Sequence, residues 1–416
     1  MPHIYFTSKN LSKLTKKAMK NSTLILMVFL LNTLLVKSSY NNRGDDGFIS
    51  RNGAQFMLNG YKFYANGFNA YWLMYEAYDP STRQRVSNAF EDASNYGLTI
   101  ARTWAFSDAG SAPLQYYPGY YNEQMFQGLD FIISEAKKYG IKLILSLVNN
   151  YKDYGGRQQY VEWANLTAED DFYTNPTVKY FYKNHVKAVL TRMNTITNIA
   201  YKDDPTIMAW ELMNEPRCTS DLSGQTLQNW IGEMAWYVKS IDSTHLLEIG
   251  LEGFYGASIP GKIQINPYNC QYGTDFIANN QISGIDFATV HSYPDQWLGN
   301  AGKEAQLTFL EQWVDQHIQD SQNILQKPVL FTEFGKSYNV AGYNPGDRDQ
   351  MYSVIYNQIY FSATNGGAAA GGLFWQMLVG GMDTFRDGYD VVLRDNPSLG
   401  ALIFQESQKL SSLGRE

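Results

Sequence analysis

Cysteine is almost missing from these 416 residues: there are two, Cys218 and Cys270. Neither sits in a Cys-x-x-Cys pair, and no His-Glu-x-x-His occurs, so the common spacings of zinc ligands are absent and no metal site is expected. In an oxidising compartment the two cysteines are candidates for one disulfide; two free buried thiols are the alternative. An excess of positive charge is lacking as well. Lys and Arg number 33 against 40 Asp and Glu, a net charge of −7. A chain of that sign does not bind nucleic acid or anionic membranes non-specifically. No apolar run is long enough to read as a membrane span. No Pro/Gly/Ser-rich linker and no internal repeat divides the chain. No Gly-rich phosphate loop follows the first strand-like run, which argues against a nucleotide cofactor and an open doubly wound sheet.

The longest apolar run, 24–36, is interrupted only by Asn32 and Thr33. Lys13, Lys16, Lys17 and Lys20 precede it, and Ser38 and Ser39 follow. A basic stretch, a short apolar core and small residues behind it read as a secretory signal peptide covering 1–39, with Met19 as an alternative start. Removing 1–39 takes away six Lys and no acid, leaving 27 basic and 40 acidic residues, a net charge of −13. The expected product is secreted, soluble and membrane-free after cleavage. Asn165-Leu166-Thr167 is a candidate N-glycan site. Aromatics make up 15% of the chain, with 31 Tyr, which suits a surface or cleft for flat, amphipathic ligands.

The remainder, 40–416, reads as one α/β domain. Eight short apolar runs have the look of strands covered on both faces: 63–69, 99–104, 142–148, 207–213, 246–250, 287–291, 329–332 and 372–376. Helical patterns alternate with them at 123–139, 178–195, 227–241, 306–322 and 348–363. Met125, Leu129, Ile132, Ile133 and Ala136 show the i, i+3, i+4 spacing of one buried helix face. Eight β-then-α units predict a closed (β/α)8 barrel. Ahead of it, 48–50 and 55–58 are expected to form a small hairpin plugging the barrel floor. The tract 366–372 is rich in Gly and Ala and suits a tight turn before the last strand.

Polar and aromatic residues gather where these runs end, the face on which such barrels build active sites. Arg102 and Trp104 end the second, Asn149-Asn150-Tyr151 the third, Asn214-Glu215-Pro216-Arg217 the fourth and Glu252 the fifth. His291 and Tyr293 end the sixth, Glu333 the seventh and Trp375 the eighth. Two carboxyls on one rim supply what glycosidic cleavage needs: a proton for the leaving oxygen and an anion or water at the anomeric carbon. Arg102 and Tyr293 are expected to keep Glu333 ionised with a lowered pKa, and Glu215 to hold a raised one. Arg102 has a second partner open to it, since Glu211 also faces the barrel interior. Trp104 and Trp375 offer flat faces for a sugar ring. Asn214 is expected at the sugar 2-hydroxyl.

Trp210-Glu211-Leu212-Met213-Asn214-Glu215-Pro216-Arg217-Cys218, His291-Ser292-Tyr293-Pro294-Asp295-Gln296-Trp297 and Phe331-Thr332-Glu333-Phe334-Gly335-Lys336 closely resemble plant mannan endo-1,4-β-mannosidases of glycoside hydrolase family 5, clan A. The likeness spans about residues 48–410, with Leu251-Glu252-Gly253-Phe254-Tyr255-Gly256 and Gly381-Met382-Asp383 among its further stretches. It implies Glu215 as acid/base and Glu333 as nucleophile of a retaining reaction. It implies substrate contacts from Arg102, Trp104, Asn214, His291, Tyr293 and Trp375, with Arg217 on the leaving-group side. It implies a secreted, cell-wall enzyme, a monomer without cofactor, acting inside β-mannan, glucomannan and galactomannan. Many relatives carry His where the third run here ends in Asn149-Asn150, a departure that argues against cellulase activity. A mannan transglycosylase on the same site and a catalytically inactive wall-binding barrel are the alternatives.

Overall fold

The computed structural model describes residues 47–414. The signal segment lies outside the described residues. Three short strands come first: β1 (Ser50–Asn52), β2 (Gln55–Leu58) and β3 (Tyr61–Phe63), a small antiparallel sheet. The sequence suggested a two-stranded hairpin. The third strand arises because Gly60 takes a φ of 84° and turns the chain back one strand early. Ile49, just ahead of β1, and Phe56 of β2 pack with Ala65, Ile100, Ile144, Met208, Leu246, Phe287 and Leu330 of the barrel interior, so this segment closes the barrel floor.

The barrel strands are β4 (Ala65–Asn69), β5 (Ile100–Trp104), β8 (Lys142–Ser146), β9 (Ile207–Glu211), β10 (Leu246–Glu248), β11 (Ala288–Ser292), β12 (Val329–Phe334) and β13 (Ala369–Phe374), every residue buried. Between β5 and β8 the chain adds a hairpin of β6 (Gln115–Tyr117) and β7 (Tyr120–Tyr121). The eight barrel strands run parallel in the order 10-9-8-5-4-13-12-11, the first strand beside the last, as a (β/α)8 barrel requires. The ladder is continuous everywhere except between β10 and β11. There, backbone bonds from Asp286 N–H to Leu247 O (2.8 Å) and from His291 N–H to Glu252 O (3.0 Å) bridge the seam. The last strand begins three residues earlier than its apolar run suggested, because Ala369 and Gly371 already pair with β12.

The helices follow the apolar spacing, and their ends follow capping chemistry. Asn122 accepts hydrogen bonds from the N–H groups of Gln124 and Met125 to start Glu123–Tyr139, and Gly140, at φ 70°, stops it. Asn175 and Pro176 begin Pro176–Leu190 two residues ahead of the apolar pattern. That helix ends five residues before the pattern does. The buried Asp130 takes hydrogen bonds from Arg192, Thr195 and Tyr201, and so draws 191–201 out of helical geometry. No helix among the described residues is long and apolar enough to cross a membrane. The Cys218–Cys270 bridge is not formed; both are free thiols, and the Cys218 sulfur lies 3.6 Å from the Ser220 hydroxyl instead.

One buried acid makes the fold sensitive to pH. Glu406, on the closing helix Pro397–Leu413, is 1% exposed. Neither of its oxygens finds a hydrogen-bond partner among the described residues, and Lys409 Nζ lies 3.6 Å away. Burial pushes its carboxyl up to about 7, against the pull of Lys409. A folded value above the unfolded one favours the protonated form, so this contribution is full below the unfolded value and is lost as pH rises through about 7. Glu406→Gln is therefore expected to be more stable than the wild type by roughly 1–3 kcal/mol at about pH 8, with no gain at about pH 4. Thermal melts at the two pH values check it; an equal shift at both would remove the titration from the explanation.

Candidate active site

The floor of the site is a row of ion pairs inside the barrel mouth. Arg102 comes from β5 and has no exposed surface. Its Nε and Nη2 donate to the two oxygens of Glu211 at 2.6 and 2.8 Å. Nη1 donates to Glu333 Oε1 at 2.5 Å, and Nη2 also to Asn214 Oδ1 at 2.7 Å. Both partners that the sequence offered Arg102 are thus taken at once. The other oxygen of Glu333 accepts from the Tyr293 hydroxyl at 2.7 Å. Asn214 passes its amide on to Asn149 Oδ1 at 3.0 Å, so the residue at the third strand end positions a neighbour from the fourth.

Glu215 follows β9 with a backbone φ of 51°, a left-handed conformation that bulky residues rarely adopt. Its N–H bonds Gly250 O at 2.9 Å, which holds the turn. Oε1 lies 2.6 Å from His291 Nδ1, and Oε2 accepts from the Tyr151 hydroxyl at 2.8 Å. His291 Nδ1 is also 3.6 Å from Glu333 Oε2. An oxygen of Glu215, an oxygen of Glu333 and a nitrogen of His291 all lie within 4.8 Å of one another. Those three donor atoms are close enough to share a cation, but Arg102, Tyr293 and Tyr151 already occupy carboxylate oxygens, and the trio is built as a hydrogen-bonded network.

The titration of this network differs from the sequence expectation. Burial pushes Glu215 up, but the hydrogen bond and charge of His291, with Arg217 and Tyr151, outweigh it and hold the carboxyl down at about 2. Burial pushes Glu333 up and prevails over His291, Arg102 and Tyr293. Burial would lower His291, yet Glu333 and Glu215 raise it. The expected order of the two carboxyls is reversed in direction, because the imidazole stands between them and favours the charged form of Glu215 through their hydrogen bond. Beneath them, burial and the Glu211 charge push Glu248 well above the carboxylate range, while Arg102 overcomes burial to lower Glu211.

Above this floor opens a cleft of about 840 Å³ lined by Asn214, Glu215, Tyr293 and Glu333 with aromatic walls on both sides. At one end Tyr71 stacks on Trp375 (5.8 Å, 13°), Trp104 lies 6.2 Å from Trp375, and Trp375 Nε1 donates to Asp387 at 2.6 Å. At the other end Arg217 makes two 2.7 Å bonds to Glu252 and lies 3.9 Å over the Tyr272 ring, with Trp297 beside it. Two residues expected at the sugar do not line this cleft. Arg102 and His291 are fully buried beneath it, in contact with Glu333 and Glu215 respectively.

Sequence reasoning missed Tyr71, Tyr154, Tyr272, Asp387 and Tyr389 as lining residues. Asp387 and Tyr389 lie on a loop well past β13, and Tyr71 just past β4, the one strand end where no site residue was named. Tyr151 carried a usable signal: it directly follows the two Asn at the third strand end.

The model of the family described as GH family 5 beta-mannosidase-like matches residues 46–384. Mannan endo-1,4-beta-mannosidase 1 of Oryza sativa subsp. japonica is 60% identical over 379 residues, covering 89% of this chain and 88% of that protein. Mannan endo-1,4-beta-mannosidase 7 of Arabidopsis thaliana is 58% identical over 370 residues, covering 88% and 86%. Among solved structures, the endo-1,4-beta-mannanase of Rhizomucor miehei superposes with a TM-score of 0.77 at 32% identity, covering 88% of this chain and all of that one. With its family match running through the barrel that carries both carboxylates, this chain belongs to the GH family 5 beta-mannosidase-like proteins.

Proposed function

We propose that this protein hydrolyses internal β-1,4-mannosidic bonds of mannan, glucomannan and galactomannan by retaining double displacement. The activity is the one its plant and fungal relatives are named for. The observation that carries the mechanism is the approach of Glu215 and Glu333 oxygens to within 4.8 Å. Retaining pairs stand about 5–5.5 Å apart, whereas inverting pairs leave about 6.5–9.5 Å for a water.

Glu333 is the nucleophile. Arg102 and Tyr293 hold its two oxygens toward the cleft, and its buried carboxylate gains by bonding to the anomeric carbon. Glu215 is the acid/base. Glu215 and His291 share a 2.6 Å hydrogen bond, and the proton it holds passes through Glu215 to the leaving oxygen. In the glycosyl-enzyme Glu333 is a neutral ester. Glu215 then takes a proton from water, and the water attacks the sugar from the face the leaving group vacated. Trp375, Trp104 and Asn214 line the glycone side, and Arg217 with Glu252 the leaving-group side.

Product analysis on linear mannan, galactomannan, glucomannan and cellulose tests this reading. Manno-oligosaccharides of several lengths are expected from the first three and little from cellulose. NMR of the first products is expected to show the β-anomer at the new reducing end; an initial α-anomer would end the retaining mechanism.

Residues 1–39 support secretion to the cell wall, and N-terminal sequencing of protein recovered from culture medium is expected to begin near residue 40. Asn165 is exposed after the helix Gly156–Trp163, open to a glycan in that compartment.

A further inference from the structure

The tyrosine excess is not exhausted by the cleft. In the hairpin of β6 and β7, Tyr116, Tyr117 and Tyr120 are 44%, 54% and 54% exposed. They are not scattered. The Tyr117 and Tyr120 rings lie 4.9 Å apart and 8° from parallel, and Tyr116 leans on Tyr120 at 5.6 Å. A single exposed tyrosine needs no explanation, but three in contact form an aromatic patch in water.

The patch is held rigidly. Pro118-Gly119 makes the turn, with Gly119 at φ 83°. Gln115 is buried at the hairpin base, where its amide donates to Asp108 and to the Tyr160 hydroxyl (3.2 Å each) and accepts from Gly119 N–H at 3.1 Å. The same base joins the cleft wall: Asp108 N–H bonds Tyr154 O at 2.8 Å, and Tyr154 lines the cleft beside Tyr71.

We propose that this hairpin is a second binding surface, outside the catalytic cleft, on which a β-1,4-linked mannan chain packs its sugar faces against Tyr116, Tyr117 and Tyr120. The inference rests on the mannan reading above. A polymer cut at an internal bond must leave the cleft and cross its rim, and the hairpin base is tied through Asp108 to Tyr154, a residue of the cleft wall. The chemistry suits an uncharged polyol: no charged residue lies between Leu114 and Asn122, and each ring adds a hydroxyl to a flat apolar face. The chain's negative charge disfavours acidic polymers. Tyr117 and Tyr120 already stack on each other, an arrangement that would reduce the conformational freedom lost on binding.

The test compares three proteins: the wild type, Y116A/Y117A/Y120A and Y116F/Y117F/Y120F. Retention on insoluble linear mannan is measured in the cold, with insoluble cellulose in parallel, and kcat/KM on short soluble manno-oligosaccharides is measured separately. The alanine variant is expected to bind insoluble mannan about 10-fold more weakly, the scale of losing two or three stacking contacts. Its kcat/KM on soluble substrate is expected to match the wild type, and the phenylalanine variant to bind insoluble mannan like the wild type because the faces remain. Alanine-variant retention equal to wild type overturns the proposal, as does a loss confined to cellulose or a phenylalanine variant as weak as the alanine one. Failure of the wild type to cleave soluble manno-oligosaccharides would instead count against the functional reading.

Discussion

Glu333→Ala is expected to lower mannan turnover on the order of 10⁵–10⁶-fold, the scale of removing a covalent nucleophile. The fold should survive, because Arg102 keeps its two bonds to Glu211 and does not become a lone buried cation. Loss of rate alone would not separate the two carboxylates, since Glu215→Ala is also expected to fall steeply. An external nucleophile separates them. With an activated aryl β-mannoside, azide can enter the gap left by Glu333 and give the inverted α-mannosyl azide. In Glu215→Ala, azide attacks the covalent intermediate from the opposite face and gives the retained β-product. NMR of the two azides reads the assignment directly. Exchanged anomers would exchange the roles, and near wild-type turnover in either variant would remove that residue from the chemistry.

The second large effect lies one layer down. Arg102→Met is expected to destabilise the protein by about 3–5 kcal/mol, the cost of leaving buried anions without their cation. Glu211 loses two hydrogen bonds and Glu333 loses one, and Glu211, with no exposed surface, cannot turn to water. Lysine should not rescue, because one ammonium cannot reproduce the fork that reaches Glu211, Glu333 and Asn214 together. Neutralising the partner should: Glu211→Gln in the Arg102→Met background is expected to recover part of the stability and none of the activity. Denaturant melts of the three variants measure this. A single variant within about 1 kcal/mol of wild type would mean that relaxation or water meets the buried charge.

The eight barrel strands were legible because strands buried on both faces are written as continuous apolar runs, and the meeting of Glu215 and Glu333 at one cleft was legible because each acid lies at or just past the end of one of them. What escaped belongs to other levels. The end of the helix Pro176–Leu190 depends on Asp130, distant in the chain and adjacent only after folding. Asp387 lies beyond the eighth strand in a loop without periodicity, so nothing nearby marks it as the partner of the Trp375 indole. The titration order of Glu215 and Glu333 misled because it is a property of three groups at once. Residue types give each acid its partners but not the 2.6 Å approach of His291 that lowers the Glu215 carboxyl.

The seam between β10 and β11 gives an otherwise endless hoop a beginning and an end. Seven junctions are zipped along their length, while this one is stitched at a few points near Leu247 and Glu252. The strands beside it supply Glu252 on one edge and His291 on the other. Glu333 sits one strand further in, on β12, but its register partner is His291 of β11, so an opening of this seam would reach both acids through that one strand.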